Sequence, residues 1–347
     1  MKIIKREHKV EPFKLKILDQ YMPNMKLCVF DIETLGLNSA YVPMILAGLL
    51  TVDSEGNAVA TQYFAEVPEE EILILEHLRQ DFEKADFLLT YNGKHFDLPF
   101  VEKRASVLGL DPLPLSLNNL DLYLVLNGHS DIKQHIPNLK QKTVEIYMGL
   151  AESRDDLISG AESIELYNAF LNTPEGAEKE ALMEKILLHN HDDLLQLYKL
   201  LPILKKVDSH KAFNTLGFPV KGNNGWPNVN VRLCKVVGKE FVIEGKYIGE
   251  AFNYQSFDAF MDCFTCNFNE DGTFFFKIPV TKHKGNFFIN MLDFHGDYAS
   301  LEKYPGYLND FLLVSQGNKC QYLEANMFTQ KFLFNFMDSH VCPLMTL

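Results

Sequence analysis

Leu27-Cys28-Val29-Phe30-Asp31-Ile32-Glu33-Thr34 reads as a buried strand that carries two acids. Alternate side chains of an extended chain face the same way, so Leu27, Val29, Asp31 and Glu33 share one face and Cys28, Phe30 and Ile32 the other. Two carboxylates on one face of an apolar strand repel each other and lose hydration unless a cation lies between them. A pair of divalent metals fits that requirement. The competing reading is a solvated strand edge running into the turn Thr34-Leu35-Gly36-Leu37-Asn38.

Composition narrows the classes around this strand. With 347 residues, the chain is long enough for two domains, each with its own core, and 47% hydrophobic with 23% charged residues is globular composition. The longest apolar run, Val42 to Leu50, is far too short to cross a bilayer, and the N-terminus lacks the apolar segment of a signal peptide. A cytoplasmic location without membrane contact is expected. Six scattered cysteines read as free thiols, and Cys263-x-x-Cys266 lacks the second close pair that structural zinc requires. The net charge of −13 argues against a surface that coats nucleic acid, yet not against a metal-dependent nuclease, whose site is itself acidic.

Taken in order, residues 1–24 read as a basic N-terminal arm (Lys2, Lys5, Arg6, Lys9, Lys14, Lys16), either a rim for nucleic acid or simply solvated. Strands follow at Pro43–Val52 and Ala58–Ala65, joined by the turn 53–57, and complete an antiparallel meander with the first strand. A helix opens at Pro68 with acids in its first turn, Phe87–Tyr91 is a fourth strand, and Leu98–Leu108 a further helix. Ser159-Gly160-Ala161-Glu162 has capping-box spacing. Thr173-Pro174 should open the longest helix, with Thr173 as cap, and Pro202 should kink or end it. Glycines and prolines at Gly217, Pro219, Gly222, Gly225 and Pro227 mark a linker over 208–227, and residues 228–347 read as a smaller β-rich domain.

Two later stretches bear on the acids of the first strand. In Tyr91-Asn92-Gly93-Lys94-His95-Phe96-Asp97-Leu98-Pro99, a strand hands over to a helix, and Pro99 disfavours helical geometry at Leu98, which places Asp97 just outside the helix, as a cap or as a ligand. In His189-Asn190-His191-Asp192-Asp193, helical spacing puts Ile186, His189, Asp193, Leu197 and Leu200 on one stripe. An ionised Asp193 on that apolar face needs a partner, and His189 stands one turn before it. Asp192 falls nearer the boundary of the face. Asp121 is either a helix cap or a support for the site.

These residues resemble the RNase H-like, DEDD-type 3′ to 5′ exonucleases. Asp31-x-Glu33 is similar to their first motif, Asn92 with Phe96-Asp97 to the second, and His189-x-x-x-Asp193 to the third; the likeness spans about the first 205 residues and is nearest to the bacterial YprB-like branch. It implies an α/β, RNase H-like domain over 25–207, with a mixed five-stranded sheet flanked by helices. It also implies a two-metal site (Mg²⁺ or Mn²⁺) held by Asp31, Glu33, Asp97 and Asp193, with His189 joining them as a catalytic group. In that arrangement Asp31 bridges both ions, Glu33 and Asp193 hold the nucleophile-side metal, and Asp97 the other. One departure stands out: His189 occupies the spacing at which the superfamily carries a tyrosine, so it either orients or deprotonates the attacking water, or general-base catalysis is weaker than usual.

The expected function is a two-metal-dependent 3′–5′ exonuclease acting on a single-stranded end of DNA or RNA. The alternatives are a nucleic-acid-binding or assembly module with a weakened site, and a structure-selective endonuclease. The C-terminal part is open to binding substrate, a partner protein or a second copy of the chain. Its phenylalanines at 274–276 and 287–288 beside Lys277, Lys282 and Lys284 read either as core or as a base-stacking surface.

Overall fold

The computed structural model describes residues 1–114, 118–150, 158, 160–220, 228–248, 254–255 and 264–338. The chain divides into two compact units, one made of Met1–Leu15 and Asn24–Val207, the other of Lys16–Pro23 and Asp208–Leu347. Among the described residues no helix is long and apolar enough to cross a membrane.

In chain order the first unit contributes β1 (Lys2–Lys9), β2 (Leu27–Thr34), β3 (Met44–Val52), β4 (Asn57–Phe64), β5 (Phe87–Thr90) and β6 (Asn119–Asp121). Helix α1 (Lys16–Tyr21) belongs to the second unit, and α2 (Glu71–Phe82), α3 (Asp97–Val107), α4 (Leu122–His129), α5 (Gln141–Tyr147), α6 (Gly160–Asn172) and α7 (Ala177–Lys199) to the first. The strands form one mixed sheet in the order β1-β4-β3-β2-β5-β6. The expected meander is present, with β2, β3 and β4 antiparallel, and β5 and β6 add on in parallel with β2. This is an RNase H-like fold of mixed α/β type.

The sheet has six strands where five are expected, because Lys2–Lys9 of the basic arm pairs antiparallel with β4 along its whole length. Its alternation explains this: Ile4, Arg6 and His8 are half-buried while Ile3, Lys5, Glu7 and Lys9 are exposed, a charged pattern suited to an edge strand. Cys28, Phe30 and Ile32 pack with Leu49, Tyr63 and the α2 residues Ile74, Leu75, Leu78 and Phe82 in one core layer. Ile45, Leu46 and Phe64 pack with Tyr167, Phe170, Ile186 and Leu187 of α6 and α7 in another.

Two helix starts differ from expectation. Thr173 does not cap α7; its hydroxyl donates to the Ala169 carbonyl at 2.8 Å and closes α6, and α7 begins only after Gly176, whose φ of +149° suits glycine. Asp97 lies inside the first turn of α3 rather than before it. Pro99 is tolerated there because it too falls in that first turn, where no intrahelical N–H bond is needed. Ser159 lies outside the described residues. At the far end Pro202 ends α7, which gives way to a 3₁₀ stretch over Leu201–Lys206.

The second unit carries α8 (Ser209–Leu216), β7 (Phe218–Val220), β8 (Asn228–Val237), β9 (Glu240–Ile248), β10 (Tyr254–Gln255), β11 (Thr265–Phe268), β12 (Thr273–Pro279), β13 (Thr281–His283), β14 (Asn286–Asn290), β15 (Tyr307–Leu308), β16 (Phe311–Gln316), β17 (Lys319–Cys320) and α9 (Tyr322–Phe336). Two antiparallel sheets run β10-β11-β12-β9-β8-β7 and β13-β14-β16-β15, with β17 on β16. The stretch read as a linker is structured over its first part: Asp208 caps α8 by accepting from the Lys211 N–H at 3.1 Å, and β7 pairs with β8; residues 221–227 lie outside the described residues. Cys28, Cys234, Cys266 and Cys320 are free thiols; Cys263 and Cys342 lie outside the described residues.

Among the described residues the expected β-rich domain ends on a helix: β17 is only two residues long, and α9 follows it. Phe328, Phe332 and Phe336 recur at four-residue spacing along one buried stripe, and Phe336 meets Phe276 with ring centroids 4.8 Å apart. Phe274 and Phe276 are therefore core. Phe287 is half-buried, with the Lys282 ammonium 5.4 Å from its ring. Tyr21 of α1 is fixed within this unit by its hydroxyl, 2.8 Å from His210 Nδ1 and accepting from Asn326 Nδ2 at 2.7 Å.

A buried ion pair ties the helices of the first unit to its sheet. Arg104 on α3 makes a bidentate contact with Glu71 of α2, Nε to Oε1 at 2.9 Å and Nη2 to Oε2 at 2.7 Å, while Glu71 also accepts from the Met44 N–H at 2.7 Å. Removing the cation alone leaves a buried carboxylate uncompensated. Arg104→Met should lower the unfolding free energy by about 3–5 kcal/mol, read by urea denaturation, and the double variant Glu71→Leu with Arg104→Met should recover most of the loss.

Candidate functional site

Cross-strand register sets the floor of the site. Asp31 on β2 pairs with Gly48 on β3, which pairs with Gln62 on β4, so these three residues form a row on the sheet face covered by α7. Asn190 of α7 lies directly over Gly48. Its Nδ2 donates to Asp31 Oδ2 at 2.8 Å and to the Asp31 carbonyl at 3.3 Å, and its Oδ1 accepts from Gln62 Nε2 at 2.8 Å. Gln62 Nε2 donates as well to the Leu187 carbonyl at 2.8 Å. A Cβ at position 48 would stand 2.1 Å from Asn190 Oδ1, so only glycine lets the helix approach this closely.

Two residues along β2, Glu33 is buried and faces the same helix. Its Oε1 lies 3.5 Å from His189 Nε2, which lies 3.7 Å from Asp193 Oδ2 one helical turn later. Asp193 is the open member, its side chain one-fifth exposed, whereas Asp192 is buried beside His191 Nδ1 at 3.4 Å. Solvent access at Asp193 runs against the buried placement its stripe suggested and suits a group that meets substrate. His191 points away from the acids, as helical spacing requires, and its Nε2 lies 2.8 Å from His8 Nε2 of β1.

Asp97 reaches the site from the first turn of α3, just after the loop that follows β5. Parallel pairing of β5 with β2 ends at Val29–Leu89, and beyond that end Asp97 Oδ1 accepts the Ile32 N–H at 3.2 Å. No side chain caps α3, so the capping role considered for Asp97 is not the one it plays. Asp121 holds this loop in place. Its carboxylate accepts from the Asn92 N–H at 2.9 Å and the Lys94 N–H at 3.0 Å while capping α4 through the Leu124 N–H at 3.2 Å. Both roles considered for Asp121 are met at once. Asn92 itself adopts a left-handed φ of +64°, and its carbonyl accepts the His95 and Phe96 N–H groups at 3.1 Å each.

The five side chains singled out from the sequence, Asp31, Glu33, Asp97, His189 and Asp193, thus converge at one end of β2. Asn190, Gln62 and Gly48 were not among them. Gly48 did leave a trace, as an isolated glycine in an otherwise apolar strand, a pattern that marks close approach of another group. Nothing local in the sequence ties Gln62 to Asn190.

Electrostatics show what this convergence costs. Burial drives Asp31 well above the usual carboxylate range, and Asp97, Asp193 and Glu33 push it further, against the bond from Asn190. Burial likewise raises Glu33 to about 7, opposed by His189 and reinforced by Asp193. Asp97 also rises to about 7, chiefly from burial, although its backbone partners favour the charged form. A cation would offset the burial and the mutual repulsion of these carboxylates together. Among the described residues Glu33, His189 and Asp193 offer ligand atoms that all lie within 4.8 Å of one another, a carboxylate and histidine set that fits a divalent metal.

The profile of the RNase_H superfamily matches residues 28–205, just over half of the chain. The chain belongs to the RNase H superfamily. A DNA polymerase of Pyrococcus glycovorans is 40% identical over 101 residues, which cover 26% of this chain and 13% of the polymerase. Among solved structures, the family B DNA polymerase from the hyperthermophilic archaeon Pyrobaculum calidifontis is similar over 52% of this chain and 25% of that one, with a TM-score of 0.39 and 23% identity. The alignments span only a quarter or less of the length of either relative.

Two measurements check the site's architecture in this RNase H superfamily member. Gly48→Ala should lower stability by about 1–3 kcal/mol in urea denaturation, because its Cβ displaces Asn190 and meets Leu194 Cδ1 at 2.8 Å. The second concerns pH. Carboxyls whose folded pKa is raised contribute their stability in full below the unfolded value, near 4, and lose it as pH rises through about 7. In EDTA the melting temperature should therefore fall between pH 5 and pH 8, and Asp31→Asn should flatten that slope.

Proposed function

We propose that this chain is a DEDD-type, two-metal-dependent 3′–5′ exonuclease of the YprB-like branch, acting on a single-stranded end of DNA or RNA. The observation that carries the reading is the convergence of Asp31, Glu33, Asp97 and Asp193, from a strand and two helices far apart in sequence, on one partly open spot. Membership of the RNase H superfamily and the partial likeness to a DNA polymerase support it.

The acids divide by position. Asp31 lies central, with one oxygen held by Asn190 so that the carboxylate keeps a fixed orientation toward both sides. Glu33 and Asp193 stand with His189 on one side and Asp97 on the other, tied to the strand by the Ile32 N–H. Mg²⁺ or Mn²⁺, if held by these residues, would supply Lewis-acid charge for activating water and stabilising the leaving 3′ oxygen. The loop that leads into α3 takes a left-handed turn at Asn92 and is held by Asp121, so the Asp97 carboxylate arrives already oriented. Four and eight residues after Glu33, in the segment that follows β2, Leu37 and Tyr41 are 86% and 83% exposed, and the Tyr41 ring is a surface on which an unpaired terminal base can stack.

The test uses 5′-labelled single-stranded DNA and RNA with Mn²⁺, with EDTA, and with Asp31→Ala. A ladder shortening from the 3′ end is expected, abolished by chelation and reduced about a thousandfold or more by the substitution. Internal cuts would indicate a structure-selective endonuclease on the same acids, and binding without cleavage under either metal would leave a nucleic-acid-binding module. Tyr41→Ala should raise KM by about fivefold or more with a smaller change in kcat, as expected for about 1–3 kcal/mol per stacked base.

A further inference from the structure

His189 is the residue at which this chain departs from the pattern its other motifs follow, and its surroundings say what the change does. Its Nε2 lies 3.5 Å from Glu33 Oε1 and 3.7 Å from Asp193 Oδ2, beyond good hydrogen-bond length to both and nearly equidistant between them. Three atoms bound at about 2.1 Å to a common centre lie about 3.0–3.4 Å apart, for octahedral and tetrahedral edges respectively. The two separations from His189 exceed this by a few tenths of an ångström, and the ligand atoms of Glu33, His189 and Asp193 all lie within 4.8 Å of one another.

The histidine is also held in place. It is buried on α7, next to Asn190, which is locked over Gly48 by Asp31 and Gln62. Glu33 is fixed on β2, and Asp193 follows one turn later on the same helix face. A ligand set preorganised on a strand and a helix in this way needs little rearrangement to close on an ion.

Resting on the two-metal reading, we propose that His189 Nε2 is itself a metal ligand, so that the Glu33/Asp193 position is a mixed nitrogen–oxygen site selecting Mn²⁺, or a similar borderline cation such as Zn²⁺, over Mg²⁺. Imidazole is a common ligand of the later divalent metals, whereas Mg²⁺ favours an all-oxygen octahedron that retains water. The Asp31/Asp97 side offers oxygen alone. The two positions therefore differ in preference, and His189, engaged through Nε2, is not a free base for the attacking water.

The experiment titrates the metal-free 347-residue chain with Mn²⁺ and with Mg²⁺ by calorimetry, and records pulsed EPR of the Mn²⁺-loaded protein, for wild type and His189→Gln. Expected are nitrogen superhyperfine coupling to Mn²⁺ in the wild type, its loss in the variant, and a rise in the Mn²⁺ dissociation constant of about tenfold or more with a change of less than about threefold for Mg²⁺. Mn²⁺ binding without nitrogen coupling in the wild type overturns the ligand assignment and leaves the two-metal reading standing. Coupling that persists in His189→Gln overturns it too, since the nitrogen then belongs to another residue. Failure of both metals to bind overturns both. The wild-type spectrum is decisive even where the variant folds poorly.

Discussion

Carboxylates crowded into a space from which water is largely excluded are the constraint around which the first unit is built. Asp31, Glu33 and Asp97 are each raised by burial, and the repulsion between them adds to it. Neutral hydrogen bonds offset only part of that cost, because an amide donor from Asn190 or Ile32 carries a partial charge. A structure that keeps such a cluster bears a standing instability, and a bound cation is the economical way to remove it. Stability and chemistry are thus set by the same few side chains.

What holds the acids in this arrangement is a helix seated unusually close to a sheet. The row Asp31-Gly48-Gln62 has a gap at its centre, where glycine has no side chain, and Asn190 fills it from above. One amide then reads both neighbours, donating to the acid and accepting from the glutamine. Because Asn190 lies between His189 and Asp193 on α7, the contact that orients Asp31 also fixes the height and rotation of the helix bearing the other two groups. On the opposite side Asp121 does comparable work, holding a loop by two backbone N–H groups so that Asp97 meets the strand where its pairing with β5 has ended.

The second unit follows a different logic. Its core is aromatic, with Phe268, Phe274, Phe276, Phe332 and Phe336 in mutual ring contact, so that large rigid side chains supply apolar area at little entropic cost. Segments remote in sequence close it: α1 contributes Tyr21, and α9 contributes the phenylalanine stripe and Asn326.

The sequence by itself determined the strand with its alternating acids, the meander, the strand-to-helix change that makes the sheet mixed, and the grouping of Asp31, Glu33, Asp97, His189 and Asp193 as candidates. Each of these is written in local periodicity or in a short motif. Tertiary structure alone decided that Lys2–Lys9 is a sixth strand, that Asp97 takes the Ile32 N–H rather than capping α3, that Asp193 is more open than Asp192, and that His189 stands midway between two carboxylates. It also revealed Asn190 and Gln62 as the groups that orient Asp31. The physical reason is that periodicity states which face a side chain takes, whereas its partner across more than 100 residues of chain depends on sheet register and helix height. Here the close approach of the helix depends on one glycine.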